Sequence, residues 1–163
     1  MKKKMTLMGI FVAVFGLMLF SGCAEKKAVV TDSTAQQPAA AEPAKTDALA
    51  AAQAALQDIN FDFDRSNIRE DARQIMKANA DFLIKNKDVN IIIEGHCDER
   101  GTAEYNMALG ERRAQEAKKY LINLGVASAR MKTVSYGEER PLDPASNEDA
   151  WAKNRRAHFA AVK

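Results

Sequence analysis

The pattern of apolar and polar positions predicts an ordered domain in the C-terminal part of the chain. Residues 59–63 alternate in period two, as a half-buried strand does, and residues 89–94 form a nearly continuous β-branched run that predicts a second strand. Two more strands are predicted over residues 131–136 and 157–162. Because helical segments separate these strands, we expect an α/β (α+β) sandwich of order βαβαβ(α)β, with helices packed on a four-stranded mixed sheet.

Helical periodicity occupies the intervals between these strands. Asn67 and Glu70 have the spacing of a capping box, and apolar residues then follow on one helical face to about Lys85. A second helix is predicted over residues 103–125, since the glycine at its end is typical of helix C-termini. A short third helix is predicted over residues 148–155.

The first 22 residues have the architecture of a signal peptide instead. Three lysines at positions 2–4 precede an uncharged, apolar run over residues 5–20. The run ends in Ser-Gly-Cys, which resembles the lipobox of bacterial lipoproteins, although Phe20 stands where Leu is more usual. We therefore predict a lipoprotein signal peptide over residues 1–22 and a covalent lipid on Cys23, with no other cofactor. The alternative is a retained transmembrane helix, since residues 5–22 are just long enough to span a bilayer.

The expected location follows from the lipid. Several acyl chains on Cys23 would anchor the protein stably. Ala24 after the cysteine resembles lipoproteins that are sorted to the outer membrane, so we expect a lipid anchor there, on the periplasmic face.

Residues 23–58 are predicted to form a flexible tether between that anchor and the domain at residues 59–163. They are rich in Ala, Gln, Thr and Glu, include two prolines and contain no aromatic residue, so they cannot bury enough surface to fold alone. Residues 46–56 are Ala-rich enough for a transient helix.

Charge and cysteine content bear on nucleic-acid binding and on disulfide bonding. Without residues 1–22 the chain loses three lysines and its formal net charge changes from +2 to −1, which weakens a nucleic-acid-binding hypothesis. If Cys23 is acylated, Cys97 has no partner for an internal disulfide.

Arg113 is the most unusual residue of the second predicted helix, because it lies near the centre of an apolar arc. A buried arginine needs a partner. Either Arg113 extends to solvent or pairs with an internal carboxylate, for which Asp98 in the charged loop of residues 95–101 is the candidate, or it binds an anionic ligand. An acid beside an arginine suits a zwitterion, whose ammonium and carboxylate they bind, and the helix N-terminus near Thr102 favours a carboxylate too.

Several sequence blocks are similar to the peptidoglycan-associated lipoproteins, whose C-terminal domain is OmpA-like. The resemblance covers residues 59–163 and rests on FDFD from Phe61, GHCDERGT from Gly95, EYN from Glu104, LGERRA from Leu109, SYGEERP from Ser135 and NRR from Asn154. It implies an OmpA-like fold and a non-covalent tether between the outer membrane and peptidoglycan. It also implies TolB and other Tol proteins as partners, with a role in envelope integrity and in constriction at cell division.

The same resemblance implies a pocket for the diaminopimelate residue of the peptidoglycan stem peptide. Asp98 and Arg113 correspond to the acid and the arginine that hold this residue. The pocket lining is expected from Phe63, Asp64, Arg100, Thr102 and Leu109, with Asn154 and Arg155 as supporting residues. Cys97 departs from the family, which commonly has Thr before the aspartate, and so lacks a hydroxyl donor there.

An enzyme and a module that binds only another protein are the alternatives to this function. An enzyme is not expected, because the sequence has no second carboxylate placed for glycoside hydrolysis, no nucleophile elbow and no phosphate-binding glycine loop. His96 and His158 also lack the spacing of a zinc site. The remaining alternative is an envelope module that binds only another protein, in which Arg113 is structural.

Overall fold

Helices and strands alternate along residues 42–162, the part of the chain that this computed structural model describes. The elements are α1 (Glu42–Ala55), β1 (Ile59–Asn60), α2 (Ala72–Lys85), β2 (Asn90–His96), α3 (Ala103–Asn123), a 3-10 turn (Ser128–Arg130), β3 (Met131–Gly137), α4 (Glu148–Asn154) and β4 (Arg156–Val162). The predicted signal peptide, the lipidated Cys23 and the tether up to residue 41 lie outside the described residues.

The four strands form one mixed sheet in the order β1-β4-β2-β3. β2 pairs parallel with β3 and antiparallel with β4, while β1 pairs antiparallel with β4. The parallel pair follows from the chain path, because α3 connects β2 to β3 as a crossover. The prediction of helices on a four-stranded mixed sheet is confirmed.

The hydrophobic core lies between this sheet and the helices α2 and α3. Ile91 and Ile93 of the central strand β2 are almost fully buried, and apolar residues of both helices pack against them. Burial of each such side chain stabilises the fold by about 1.5–3 kcal/mol. The largest fully buried apolar side chains are Ile59, Phe61, Met76, Leu83, Ile91, Ile93, Leu121, Met131 and Phe159.

Two glycines allow α3 to lie directly against β2. A Cβ atom added to Gly95 would overlap the carbonyl group of Gly110, so neither the strand nor the helix has room for a side chain there. A Cβ atom added to Gly110 would in turn overlap the hydroxyl oxygen of Ser135, which donates a hydrogen bond to the Met107 carbonyl at 2.7 Å. This close approach places the start of α3 beside the end of β2.

Some predicted boundaries were wrong. The strand β1 ends at Asn60 and not at Phe63, because the chain turns after it and the Arg65 amide donates to the Asp62 carbonyl at 3.2 Å. The helix α2 begins at Ala72 and not after Asn67, because the Arg69 guanidinium binds Asp71 at 2.8 Å and Asp62 at 3.2 Å and holds the intervening segment in turns. The strand β2 continues two residues past its predicted end to His96, since the sheet pairs residue 95 with both neighbouring strands.

The segment predicted as a transient helix within the tether is the helix α1, and it packs on the domain. Ala52 and Leu56 are buried, and the Gln53 side chain donates to the Phe159 carbonyl at 3.1 Å and accepts from the Ala161 amide at 2.8 Å. Because β1 covers only the start of β4, the rest of that strand edge is free to bind Gln53. The predicted tether is therefore helical over residues 42–55. No helix within residues 42–162 is both long enough and apolar enough to cross a membrane.

Candidate functional site

A pocket of about 210 Å3 lies at the C-terminal end of β2, between the segment that follows β1 and the first turns of α3. The chain reverses at Gly101, whose φ of 119° L side chains rarely adopt. Thr102 then caps α3, because its side-chain oxygen accepts a hydrogen bond from the Tyr105 amide at 3.2 Å. The helix N-terminus with its partial positive charge is thereby fixed beside the pocket.

Arg113 extends from α3 toward this pocket and is completely buried. Its Nε donates to the Arg65 carbonyl at 2.9 Å, Nη1 to the His96 carbonyl at 2.8 Å and to the Cys97 sulfur at 3.3 Å, and Nη2 to the Asp62 carbonyl at 3.1 Å. The expectations that Arg113 reaches solvent or pairs with a carboxylate were therefore wrong, because three backbone carbonyls and the Cys97 sulfur accept hydrogen bonds from four of its five N–H groups. Burial lowers the pKa of Arg113, yet an arginine stays protonated in proteins, so the pocket has a buried positive charge.

Asp98 is the buried carboxylate of the pocket, with 3% of its surface exposed. Its Oδ1 accepts from the Arg100 amide and from Arg100 Nε, both at 3.2 Å. Its Oδ2 accepts from Arg100 Nη2 at 2.6 Å and from Arg155 Nη1 at 3.1 Å. Burial acts to raise the pKa of Asp98, but the hydrogen bonds from the two arginines outweigh it, so the pKa lies below its usual value and the group is ionised.

Arg100 is held between two aromatic rings as well as by Asp98. Its guanidinium carbon lies 4.0 Å from the ring centre of Phe63 and 4.2 Å from that of Trp151. Glu148 of α4 lies 3.5 Å from Arg100 Nη1 and accepts a hydrogen bond of 2.8 Å from Arg155 Nη2. The result is a network in which α4 and the segment after β1 support the acidic side of the pocket.

The family model described as the OmpA family matches residues 60–155. The chain belongs to the OmpA family. Within it, the peptidoglycan-associated lipoprotein of Mesorhizobium japonicum is 41% identical over 156 residues, which cover 91% of this chain and 88% of that relative. The protein of the same name from Brucella melitensis is 40% identical with the same coverage. The resemblance stated from the sequence blocks is confirmed.

Solved structures agree with this assignment. The crystal structure of the peptidoglycan-associated lipoprotein from Burkholderia pseudomallei has a TM-score of 0.63 and 38% identity, and the match covers 65% of this chain and 90% of that chain. The C-terminal domain of Helicobacter pylori MotB shares the fold at a TM-score of 0.60 and 23% identity, covering 66% of this chain and 86% of that chain. The names of the lipoprotein relatives denote association and not catalysis, and the prediction that the chain is not an enzyme is confirmed.

The pocket brings together most of the residues that the resemblance to the family implied. Thr102 is absent from the lining, because its side chain points back to cap α3. Asn154 also lies outside the lining, and its side chain binds the backbone of Leu142 and Asp143 at 2.7–3.1 Å, which supports the loop before α4. The expected residues found in the lining are Phe63, Asp64, Asp98, Arg100, Leu109, Arg113 and Arg155.

Four further lining residues were missed, namely Cys97, Gly101, Tyr105 and Asn106. Cys97 is a buried thiol that donates to the Asn106 carbonyl at 3.3 Å, and burial raises the pKa of this thiol to about 11. The side-chain Nδ2 of Asn106 donates to the Asp98 carbonyl at 3.2 Å and to the Glu138 carboxylate at 2.5 Å. Asn106 could have been found from the sequence, because it lies seven positions before Arg113 and so on the same buried face of α3.

Proposed function

We propose that this chain is an outer-membrane lipoprotein that binds peptidoglycan without a covalent bond and so ties the outer membrane to the cell wall. The observation that carries the proposal is a single pocket lined by a buried carboxylate, Asp98, and a buried guanidinium, Arg113. Buried charges of opposite sign at one site suit a ligand that is itself zwitterionic. The diaminopimelate residue of the peptidoglycan stem peptide ends in such a group.

Each part of the ligand has a partner in this arrangement. Asp98 is the group for the ligand ammonium. Among the residues that the structure describes, Arg113 uses four of its five N–H groups, and the remaining N–H on Nη2 is the donor for the ligand carboxylate. Phe63 and Leu109 supply apolar contacts for the methylene chain between the two ends.

The relatives support the remaining parts of the proposal. Their name denotes a lipoprotein that associates with peptidoglycan, and the match extends over 91% of this chain. In the proposed mature protein, residues 1–22 are removed, a lipid on Cys23 anchors the chain at the periplasmic face of the outer membrane, and residues 24–41 connect the anchor to α1. We further propose TolB and other Tol proteins as partners, with a role in envelope integrity and in constriction at cell division.

Co-sedimentation with purified diaminopimelate-type peptidoglycan tests the proposal. The full wild-type chain, kept in detergent, is compared with two variants. Asp98→Asn removes the charge of the carboxylate, and Arg113→Lys keeps the positive charge but removes the two-pronged guanidinium. We expect the wild type to pellet and both variants to stay in the supernatant. Asp81→Asn, on the exposed surface of α2, is the matched control and should pellet like the wild type.

The outcomes separate this function from the alternative of a protein-binding module. The four hydrogen bonds from Arg113 to backbone and sulfur atoms are the observation that favours a structural role for it. If circular dichroism shows folded variants that pellet as well as the wild type, Asp98 and Arg113 do not bind the wall. If the wild type itself stays in the supernatant, peptidoglycan binding is wrong and the protein-binding module becomes the better hypothesis.

A further inference from the structure

The chain's own arginines already occupy the Asp98 carboxylate. Each of its oxygens accepts two hydrogen bonds, three in total from Arg100 and one from Arg155. A carboxylate offers about four lone-pair positions to donors. A ligand ammonium can therefore reach Asp98 only by replacing one of these arginines.

The two arginines differ in how firmly they are held. Only 8% of the Arg155 side chain is exposed, and it also donates to the Phe61 carbonyl at 3.1 Å and to Glu148 at 2.8 Å. In contrast, 30% of the Arg100 side chain is exposed. Away from Asp98, its polar partner among the described side chains is Glu148, at 3.5 Å. Arg100 also stacks between the Phe63 and Trp151 rings, but among the described residues its side chain donates to no buried group other than Asp98. Arg100 is therefore the side chain that a ligand can displace.

The charge of the pocket decides which ligands gain from that displacement. Three arginines, Arg100, Arg113 and Arg155, are balanced by three carboxylates, the lining residues Asp64 and Asp98 and the adjacent Glu148, so any added cation gives the pocket an excess of positive charge. A ligand that brings only an ammonium replaces one cation at Asp98 by another and adds repulsion. A ligand that also brings a carboxylate supplies a partner for Arg113 and for the released Arg100.

We propose that Arg100 is an internal competitor for the ligand ammonium and thereby determines the specificity of the pocket. While paired with Asp98, it excludes side chains that end in an ammonium alone, such as lysine, and yields to a zwitterionic end such as that of diaminopimelate. This role rests on the proposed function, because it concerns the same pocket. It differs from a direct contact with the ligand, since removal of Arg100 relaxes specificity instead of abolishing binding.

Calorimetric titration of the full chain in detergent tests this role with two soluble muropeptides, which carry either diaminopimelate or lysine at the same position. For the wild type we expect the lysine muropeptide to bind at least about tenfold more weakly, the value of one charge-assisted contact. In Arg100→Gln and in Arg100→Ala, Asp98 is freed, so affinity for the lysine muropeptide should rise about tenfold. The ratio of the two affinities should fall below that of the wild type but stay above one, because Arg113 still pairs only with the diaminopimelate carboxylate. Arg73→Gln removes the same charge from an exposed position of α2 and should keep the wild-type ratio.

Each alternative outcome of the titration contradicts one specific part of the proposal. If folded Arg100 variants lose affinity for both muropeptides by the same factor, Arg100 binds the ligand directly and is no competitor. If their ratio equals that of the wild type, Arg100 does not set specificity, while the proposed function stands. If the wild type binds neither muropeptide and does not pellet with peptidoglycan, the proposed function fails as well.

Discussion

Tyr105 donates a hydrogen bond from its phenol to the Asp64 carboxylate, and this bond joins the first turn of α3 to the segment after β1 at the rim of the pocket. Asp64 has a φ of 57°, in the left-handed region that residues other than glycine adopt rarely and aspartate more readily than most. The pKa of Tyr105 is raised, chiefly because its hydroxyl donates to this carboxylate. The bond therefore holds in place a strained residue that lines the site.

Tyr105→Phe should weaken peptidoglycan binding without unfolding the protein. Both side chains of the lost hydrogen bond are exposed, so the thermal midpoint should change little, while Asp64 is no longer held at the pocket rim. We expect the affinity in co-sedimentation to fall by about two- to fivefold. Tyr120→Phe removes a hydroxyl from the same helix far from the pocket and is the control. Equal affinities of both variants and the wild type would show that the rim bond has no part in binding.

Gly95→Ala should strongly destabilise the fold, because the added methyl group overlaps the Gly110 carbonyl and must push α3 away from β2. We expect a loss of about 3 kcal/mol in the free energy of unfolding, at the upper end for an overpacked core site. Urea unfolding followed by circular dichroism measures this loss. As a comparison, Ala108→Gly on the exposed surface of α3 should cost about 1 kcal/mol or less. A fully stable Gly95→Ala protein would contradict the contact between the two backbones.

Gln53→Ala should detach α1 from the edge of β4. The Gln53 side chain makes both hydrogen bonds to that strand, so we expect a loss of about 1–3 kcal/mol in unfolding free energy. Hydrogen exchange read by mass spectrometry should show faster exchange in residues 42–55 and at the Ala161 amide. Gln74→Ala, at an exposed position of α2, is the control. Unchanged exchange in α1 would mean that Ala52 and Leu56 suffice to hold it.

His96 should make the protein less stable in acid. Burial is the main cause that lowers the pKa of His96 to about 4, from about 6.5 in the unfolded chain. Its neutral form therefore stabilises the fold fully above pH 6.5, and this contribution is lost as the pH falls toward 4. His96→Phe keeps a ring to stack on Tyr136, 5.5 Å away. Urea unfolding at pH 7.5 and pH 4.5 should show a smaller loss for the variant than for the wild type, and equal losses would contradict the shifted pKa.

His158 should have the opposite dependence on pH. A hydrogen bond of 2.7 Å to Asp58 raises the pKa of His158, so its charged form is favoured by folding. This contribution is complete below about pH 6.5 and is lost as the pH rises through the raised folded pKa. The stability difference between the wild type and His158→Gln should thus be larger at pH 5.5 than at pH 8.5. A difference that is the same at both values would show that folding does not raise the pKa of His158.

The amino-acid sequence by itself determined the order of the strands and helices and the buried faces of the helices. These features depend on periodicity and on glycine positions, which are local properties of the sequence. The end of α3, predicted at Gly125 and found at Asn123, and the strand β4 were therefore predicted within one or two residues. The sequence also showed that Arg113 is unusual, because a cation in an apolar arc is visible without a structure. The boundaries that depend on side-chain partners, such as the start of α2 at Ala72, were not visible in this way.

Only the tertiary structure decided how the buried charges are satisfied. Arg113 binds carbonyl groups of two separate segments, one after β1 and one at the end of β2, and Asp98 binds Arg155 across 57 positions of sequence. The packing of α1 through Gln53 likewise depends on how much of the β4 edge β1 leaves uncovered. Periodicity specifies which face of a helix or strand is buried. The hydrogen-bond partners of a buried charge depend instead on where distant loops and strand edges meet, and only the folded structure brings these segments together.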